Sequence, residues 1–558
     1  MLDKYKEKII EYGIPLALSI LIATILQLPQ LLTHVGLTGA DTTFHFSRLY
    51  DTAQQIKDHN FSYFQMNYGM GETGRIVNAI YGPFFAYLLG GLLLIAGSWF
   101  NFQILLVYLL FIISGLGMYH VSRKVKMSRT VAAIISALFL LTGYISYWVS
   151  SNSFNAWGAA LMPYVLSQGI DLFNDGKKHF NWINLSITMA IVAQVHLLST
   201  LQATLALIPF FIYGLITTTN KQRMWVDILK AVVLCTLLTA NVWGAFLVLY
   251  PTNKMSAPLD FSPALTSLRL KANGPMTMWV QIQEVVVLLL GLQLAYLLLN
   301  YRSSKLNIFL TIEGFIFLFV SSDIFPWNFV EKQFPTFSNY FQFPNRFTTI
   351  AYPLLFLGIG ITIMSLIKKY DFQIGVLLKC LLIFVCLFVL RADLRESVHK
   401  VDAGKTNSER IAQFNNPDLK KYIEKNMAGN PEYLPLTKTM APNDVFGHIY
   451  EMINDGQNYE RKVLKNGYLQ LSWNSRTTNV TLPIVFYRQS VLVVNGRKVS
   501  PKCNEIGMPI VQAQKGKNTA ILSFKTPMWF TILLYISILS WVLLIIYGVF
   551  IWVKIVKK

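Results

Sequence analysis

Several apolar runs of about 18–22 residues lie along the chain, long enough to cross about 30 Å of hydrocarbon as helices. The first run is followed by a polar loop, most later runs are separated by short polar stretches, and a long polar region precedes the last run. This spacing predicts a polytopic α-helical membrane protein with about twelve crossings. The predicted crossings are 9–32, 104–121, 131–150, 157–173, 183–200, 201–216, 228–250, 278–299, 306–320, 347–367, 374–390 and 529–553.

Basic residues give the predicted orientation, because Lys and Arg collect in cytoplasmic loops. Lys4, Lys6 and Lys8 precede the first run, so the N-terminus is expected inside and loop 33–79 outside. If loop 33–79 is outside and Arg123 is cytoplasmic, the chain crosses the membrane an odd number of times between them. Two apolar runs, 80–97 and 104–121, lie in that interval, and two full crossings would put Arg123 outside. We therefore predict that 80–97 is an outer re-entrant or juxtamembrane helix. The alternative is that it spans and another assignment fails.

The polar region 392–527 lies between the last two predicted crossings and has a different pattern. Alternating apolar positions predict strands at 468–473, 479–483, 490–494, 510–513 and 520–524. The dipeptide Asn495-Gly496 follows one of them and is a strong hairpin signal. We predict a small extracytoplasmic β-rich domain, a sandwich, preceded by a helical stretch at 408–427. The predicted units are 1–391, 392–527 and 528–558, the last being a final helix with a basic cytoplasmic tail.

Composition supports the membrane assignment and limits the function classes. The 558 residues are 54% hydrophobic and 14% charged, well below the charge of about 25% in soluble domains. The net charge of +20 is attributed to cytoplasmic loops rather than to nucleic-acid binding. The four cysteines show neither zinc spacing nor a disulfide framework. No phosphate-binding loop is present, so ATP-driven transport is not expected.

Loop 33–79 holds the first candidate site. Asp41, His45 and Arg48 follow an i, i+4, i+7 spacing and would share one helix face. A carboxylate there can act as a general base, and an arginine can hold a phosphate. The alternative is a juxtamembrane helix capped by Asp41, with Arg48 at lipid headgroups. Glu72 and Arg75 lie nearby in a Gly-rich stretch and could equally form a structural salt bridge.

Three further outer positions are candidates. Asn152, in the second outer loop, could bind a sugar hydroxyl or belong to an ordinary wet loop. His196 lies among Gln, Ser and Thr in apolar sequence, where ionisable groups usually face a cavity or partner. It could also be a satisfied structural histidine. Arg346 lies among aromatic residues where a helix re-enters the membrane, and could clamp a lipid-linked phosphate or anchor the interface.

Three motifs carry a resemblance to a known class: Asp41-Thr-Thr-Phe-His45-Phe-Ser-Arg48, Phe343-Pro344-Asn345-Arg346-Phe347 and Val491-Leu492-Val493-Val494-Asn495-Gly496. With the acidic first outer loop and the outer C-terminal region, they resemble the GT-C superfamily of membrane glycosyltransferases. Within it, the chain looks most like bacterial YfhO-like proteins and those labelled "6-pyruvoyl-tetrahydropterin synthase related".

The resemblance implies transfer of a sugar from a polyprenyl-phosphate donor to a glycan, glycolipid or protein acceptor at the outer face of a bacterial cell membrane. Asp41 would be the base, and Arg346 with Arg48 would bind the donor phosphate. Metal-dependent relatives carry an acidic motif where this chain has Ser151-Asn152-Ser153-Phe154-Asn155, so a divalent cation is doubtful. The alternatives are a lipid-linked sugar transporter or flippase, and a non-catalytic scaffold that binds cell-envelope polymer.

Overall fold

The computed structural model describes residues 2–39, 41–259, 261–270, 282–300, 304–335, 341–370, 372–426 and 430–556. Helices dominate it. The first part of the chain contains α1 Leu2–Thr33, α2 Thr42–Asp58, α3 Val77–Ile80, α4 Pro83–Ala96, α5 Trp99–Lys124, α6 Arg129–Leu140, α7 Tyr144–Ser151, α8 Asn155–Phe173, α9 Trp182–Val195, α10 Leu197–Thr217, α11 Lys221–Leu238 and α12 Ala240–Leu249.

The later helices are α13 Pro263–Thr266, α14 Glu284–Leu299, α15 Lys305–Ser321, α16 Trp327–Gln333, α17 Thr348–Lys369, α18 Phe372–Lys405, α19 Ser408–Asn415, α20 Lys420–Lys425, α21 Pro442–Asp455 and α22 Met528–Val556. Within the described ranges, six helices are long and apolar enough to cross a membrane, or up to eight if each bent pair is one span. The chain is therefore a multi-pass membrane protein. The count of about twelve crossings stays a prediction.

Two predicted crossings are bent rather than continuous. Run 131–150 is divided into α6 and α7, which meet at 41°, and run 228–250 is divided into α11 and α12, which meet at 65°. At the first bend Gly143 has φ +64°, which is a backbone conformation that glycine adopts without steric cost. The apolar pattern alone did not reveal these breaks, because each run is apolar enough overall to predict one continuous span.

The predicted boundary between 183–200 and 201–216 is wrong. Helix α9 ends at Val195, and α10 begins at Leu197. His196 lies between them with extended backbone (φ −156°, ψ 111°). Ser199 and Thr200, which we placed at the end of the first helix, belong to the first turn of the second. The short polar run has no Gly or Pro to mark the break, so its position could not be read from the sequence.

Helix α4 is the segment predicted to re-enter. It begins after Gly82, ends before Gly97, and is about 21 Å long at 1.5 Å per residue. This is shorter than the hydrocarbon thickness of about 30 Å. It packs closely on α2, where a Cβ on Gly90 would meet Thr52 Oγ1 at 2.4 Å. Its path relative to the membrane stays a prediction.

Three other predicted ranges differ from the structure or extend outside the described residues. The beginning of run 278–299 lies outside the described residues, and α14 begins at Glu284. Helix α18 continues without a break to Lys405, so the predicted unit boundary at 391 lies within a helix. The helical stretch predicted at 408–427 is divided into α19 and α20, and its last residue also lies outside the described part.

The predicted β region forms two packed antiparallel sheets. The five-stranded sheet has the order β1-β2-β8-β4-β5 and the three-stranded sheet β3-β7-β6. The strands are β1 Glu460–Val463, β2 Leu469–Ser475, β3 Asn479–Thr481, β4 Ser490–Val494, β5 Arg497–Val499, β6 Lys502–Cys503, β7 Pro509–Gln512 and β8 Gly516–Phe524.

Alternate residues of the two sheets meet in one apolar core. Leu471, Leu492 and Leu522 from the larger sheet pack with Leu482 and Val511 from the smaller sheet and its neighbouring loop. The predicted sandwich is therefore confirmed. The predicted hairpin is confirmed as well, since Val494 pairs with Arg497 across Asn495-Gly496. Strands β1 and β6 were not predicted, because both are short and polar.

A buried amide network fixes the segment that leads from α1 to α2. Gln103 of α5 accepts a hydrogen bond from Leu37 N (2.9 Å) and donates to Leu37 O (2.7 Å). It also accepts from Gln30 Nε2 and donates to Asn152 Oδ1. Beside this network, a Cβ on Gly39 would lie 2.0 Å from the backbone oxygen of Ser151. The segment therefore approaches the end of α7 so closely that only glycine fits there.

We predict that Gln103→Leu lowers the free energy of unfolding by about 2–4 kcal/mol, since it leaves several buried polar partners unsatisfied. Thermal unfolding of the detergent-purified protein measures the loss. The matched control is Gln222→Leu, at an exposed position of α11. Equal stability of the two variants would show that the network does not hold the segment.

Candidate active site

Asp41, His45 and Arg48 lie at the beginning of α2. Asp41 occupies the N-cap position, but its carboxylate makes no capping hydrogen bond. His45 and Arg48 follow on one helix face, where His45 Nδ1 lies 3.2 Å from Arg48 Nη1. The predicted clustering of these two side chains is thus observed, and the Asp41 carboxylate remains available for other partners.

Arg48 is fully buried and its guanidinium is largely occupied by neighbouring groups. Its Nε donates to Asn78 Oδ1 (2.9 Å) and its Nη2 donates to Tyr81 O (2.6 Å). The guanidinium carbon also lies 4.3 Å from the centre of the Tyr81 ring. Burial lowers the pKa of Arg48 to about 10, so the side chain stays charged at neutral pH. Arg48 therefore ties α2 to α3 and to the residues before α4.

His45 is a neutral imidazole packed between aromatic rings. It stacks on Phe154 at 3.8 Å between ring centres. Burial and the neighbouring Arg48 charge hold the pKa of His45 well below 6.5. A neutral ring keeps one nitrogen as a donor and the other as an acceptor. At neutral pH, His45 can exchange hydrogen bonds without adding charge to the site.

Asp41 is partly buried, and two groups act on its carboxylate. Burial raises the pKa of Asp41 above its usual 3.8, while the Arg346 charge and a hydrogen bond with Ser153 lower it. The net result is a raised pKa. A carboxylate with a raised pKa is a better proton acceptor, as a general base requires.

Arg346 approaches Asp41 from a distant part of the chain. It belongs to a short 3₁₀ turn, Pro344–Phe347, immediately before α17. The turn is held by Tyr144 OH, which donates to Asn345 Oδ1 at 2.6 Å. The Arg346 guanidinium lies over the Phe343 ring, and its Nε is shielded from solvent without a hydrogen-bond partner. An unsatisfied arginine N–H beside a carboxylate is suited to an incoming anion.

His196 joins the same cluster through the break between α9 and α10. Its ring centre lies 5.6 Å from that of Tyr81, and its Nδ1 lies 2.8 Å from Ser199 Oγ. The Arg48 and Arg346 charges both act on the ring. Four residues from three separate segments, Asp41, Arg48, His196 and Arg346, therefore surround one region.

The structure places the other three candidates in bracing contacts. Asn152 has its amide in the Gln103 network described above. Glu72 pairs with Lys420 of α20 at 3.3 Å, and Arg75 Nη2 donates to Glu432 O at 2.6 Å. Each of the three contacts joins segments that are far apart in sequence. Among the described residues, no group of three or more His, Cys, Asp or Glu side chains could hold a metal ion.

Sequence reasoning missed four side chains that complete this region. Tyr81 and Phe154 supply the rings around Arg48 and His45. Tyr433 and Glu432 come from the segment before α21, and Tyr433 packs with Tyr81 against the same apolar cluster. Burial raises the pKa of Glu432, and its Oε2 has no hydrogen-bond partner. No local motif marks these residues, because only the tertiary fold brings them to α2.

Tyr433 has a left-handed backbone conformation, with φ +67°. Such a conformation is uncommon for a bulky residue and is kept only where the surroundings impose it. Here Tyr487 OH donates to Tyr433 O at 2.9 Å. Leu434 N donates to Ser256 Oγ at 3.0 Å, and Ser256 N donates to Leu434 O at 2.8 Å. The segment that carries Glu432 is thereby held in place.

Comparisons with known proteins do not assign the chain to a family. No family model matches the chain, and no curated protein matches it. Among solved structures, the oligosaccharyltransferase of Archaeoglobus fulgidus in its apo form gives a TM-score of 0.34 at 14% identity, covering 77% of this chain and 61% of that one. The same enzyme, tethered by a disulfide to an acceptor peptide containing the NVT sequon, gives 0.35 at 14% identity, covering 77% and 60%.

The chain thus spans about three fifths of the length of that enzyme. Similarity at this level transfers neither a fold nor an activity. The class defined by the helices and the site is a multi-pass membrane protein with a carboxylate–arginine–histidine cluster at the beginning of α2.

We predict that Arg48→Lys destabilises the protein by roughly 2 kcal/mol, because an ammonium cannot replace a planar guanidinium that donates to two acceptors and lies over a ring. Thermal unfolding in detergent checks this. Arg129→Lys, at an exposed position with no described partner, is the control. A melting temperature unchanged in both variants would refute the bracing role.

Proposed function

We propose that the protein is a GT-C-like glycosyltransferase that moves a sugar from a polyprenyl-phosphate donor to a hydroxyl acceptor. The observation that carries the proposal is the Asp41 carboxylate, with its raised pKa, beside the unsatisfied Nε of Arg346. A base and an anion-binding donor are the two groups that this reaction needs.

The reaction assigns a distinct role to each of the two groups. Asp41 accepts the proton of the acceptor hydroxyl as its oxygen attacks the anomeric carbon of the donor sugar. The bond between that carbon and the phosphate oxygen breaks, and the polyprenyl phosphate leaves with the bonding electron pair. Arg346 stabilises the charge that grows on the leaving phosphate. Attack opposite the leaving group inverts the configuration at the anomeric carbon.

Neighbouring side chains hold these groups in position. Arg48 has most of its donors engaged by protein acceptors, so we assign it to orientation of α2 and to the local positive field rather than to direct phosphate contact. His45 and His196 supply polar contacts for the donor or acceptor. Asn152, Glu72 and Arg75 support the loops around the site.

The proposal places the site and the β region outside the cell and both termini in the cytoplasm, on the basis of the basic residues before α1. The lipid donor would then enter from the outer leaflet, with its phosphate at headgroup level. The acceptor would be a cell-envelope glycan, glycolipid or protein. No step of the proposed reaction requires a metal ion, because Arg346 supplies the positive charge.

One observation favours a lipid-linked sugar transporter instead. Glu313 of α15 lies inside predicted crossing 306–320, is 4% exposed, and has no hydrogen-bond partner at either carboxylate oxygen. Ionisable groups at such positions often serve ion-coupled movement. A transporter moves its substrate without forming a new glycosidic bond, so the Asp41 variant below separates the two functions.

We predict that Asp41→Asn lowers the rate of sugar transfer by about 10²–10⁴-fold, the usual contribution of a general base. Transfer is measured with the purified protein in liposomes supplied with polyprenyl-phosphate-linked sugars. Stability should change little, because no capping bond is lost and Asn keeps an oxygen that can accept a hydrogen bond from Ser153. Asp455→Asn, at an exposed position, is the control. Full activity of Asp41→Asn would rule out its role as the base.

We further predict that Arg346→Gln raises KM for the donor and moves the acid limb of the pH–rate profile to higher pH. The base acts when ionised, so activity rises with pH through the pKa of Asp41. Arg346 lowers that pKa, and its removal must raise it. The pH dependence of kcat/KM measures the shift, with Arg395→Gln at an exposed position of α18 as the control. An unchanged acid limb would show that Arg346 does not influence the ionisation of Asp41.

A further inference from the structure

A groove of about 740 Å³ lies between the β sandwich and the end of α12. Pro435 and Leu436 form part of one wall, and Val499 and Pro501 form part of another. This volume is within the range of about 300–1,000 Å³ that small-molecule sites occupy. The groove is separate from the Asp41 site, since Asp41, His45, Arg48, His196 and Arg346 do not line it.

The charge of the groove is entirely positive. Four of its lining residues are cationic and exposed, namely Lys254, Arg488, Lys498 and Lys525, and its lining contains no Asp or Glu. None of the four forms an ion pair with a described carboxylate. Four converging cations without a counter-charge favour an anionic ligand.

The floor of the groove is built by side chains that lock two segments together. Arg488 N donates to Asn253 Oδ1 at 2.9 Å, and Asn253 Nδ2 donates to Gln489 Oε1 at 3.1 Å. Gln489 Nε2 in turn donates to Val248 O at 2.8 Å, within α12. The cations are therefore carried by a preformed framework that is joined directly to a helix of the membrane part.

The position of the cations indicates the source of the anion. Lys254 follows shortly after Leu249, where α12 and its bent pair end, and Lys525 lies shortly before Met528, where α22 begins. Both α22 and the pair of α11 and α12 are candidate spans. Residues next to the ends of spans lie at the depth of lipid headgroups. Lipid phosphates lie at that depth, and clustered Lys and Arg side chains attract anionic headgroups.

We propose that this groove binds the phosphate headgroup of an anionic membrane phospholipid. The four cations contact the headgroup, while Pro435, Leu436 and Val499 contact the glycerol region. This proposal does not depend on the proposed glycosyl transfer. It also gives the β region a contact with lipid, in addition to its covalent connections to α18 and α22 and its hydrogen bond to α12.

The test uses the full-length protein in detergent, titrated with dioctanoyl phosphatidylglycerol or dioctanoyl phosphatidylcholine and read by native mass spectrometry. The groove variant combines Lys254→Gln, Arg488→Gln, Lys498→Gln and Lys525→Gln. The control variant combines Lys465→Gln, Arg476→Gln, Lys515→Gln and Lys517→Gln, which are exposed positions of the β region outside the groove. The two variants thus lose the same charge.

The wild-type protein and the control variant are expected to prefer phosphatidylglycerol by roughly tenfold or more, and the groove variant is expected to lose that preference. If the groove variant does not fold, the double variant Arg488→Gln with Lys498→Gln replaces it, with an expected loss of roughly fivefold. Equal loss in the groove and control variants would overturn the proposal. Binding of glycerol 3-phosphate as tight as that of the lipid would overturn it too, since a soluble phosphate would then be the ligand.

Discussion

The buried guanidinium of Arg48 is the interaction on which the candidate site depends. An unpaired charge costs several kcal/mol to remove from water, so a buried arginine is tolerated only where acceptors surround it. Here the acceptors are Asn78 and the Tyr81 carbonyl, which belong to the segment between α2 and α4. Satisfying one side chain therefore sets the position of α2, the Tyr81 ring and the beginning of α4 together. His45 and Asp41 take their places from that arrangement.

The site contains more positive than negative charge. Its two arginines, Arg48 and Arg346, lie in a poorly solvated region where Asp41 is the nearby carboxylate. Arg48 and Arg346 act on the same small group of side chains, and His45 responds by remaining neutral. Asp41 experiences two opposing influences, because burial disfavours its charge while Arg346 favours it. An anion that entered beside Arg346 would offset the excess positive charge. In the proposed function, the phosphate of the donor offsets this imbalance.

The segment between α20 and α21 contributes to the site. The segment from Glu432 to Leu436 is anchored by Arg75, Ser256 and Tyr487, which belong to three different parts of the chain. Its first residues face the Asp41 cluster, whereas Pro435 and Leu436 line the basic groove. One short segment thus connects two polar regions of the molecule. Its unusual backbone at Tyr433 is kept because these anchors leave it no other path.

The sequence by itself determined the membrane class, most helix positions, the sandwich and the local cluster on α2. These features depend on periodicity and on residues close in sequence: a hydrophobic run predicts a span, and a three-residue interval places His45 and Arg48 on one helix face. The hairpin at Asn495-Gly496 was equally local. The pattern did not predict the bends at Leu141–Gly143 and Thr239, and it misplaced the break at His196. Each run is apolar overall, and its few polar residues do not mark where a helix ends.

Only the tertiary structure decided which candidates share a site. The motif around Arg346 predicted a phosphate ligand, and the fold brings that residue to Asp41 across some three hundred residues of chain. Asn152 was also predicted from its residue type and loop position to bind substrate, yet its amide oxygen accepts a hydrogen bond from Gln103. No local sequence motif marked Tyr433 or Glu432 as part of the site. A side chain's role depends on which partners remain unsatisfied after packing, and packing between distant segments is not encoded in any short stretch of sequence.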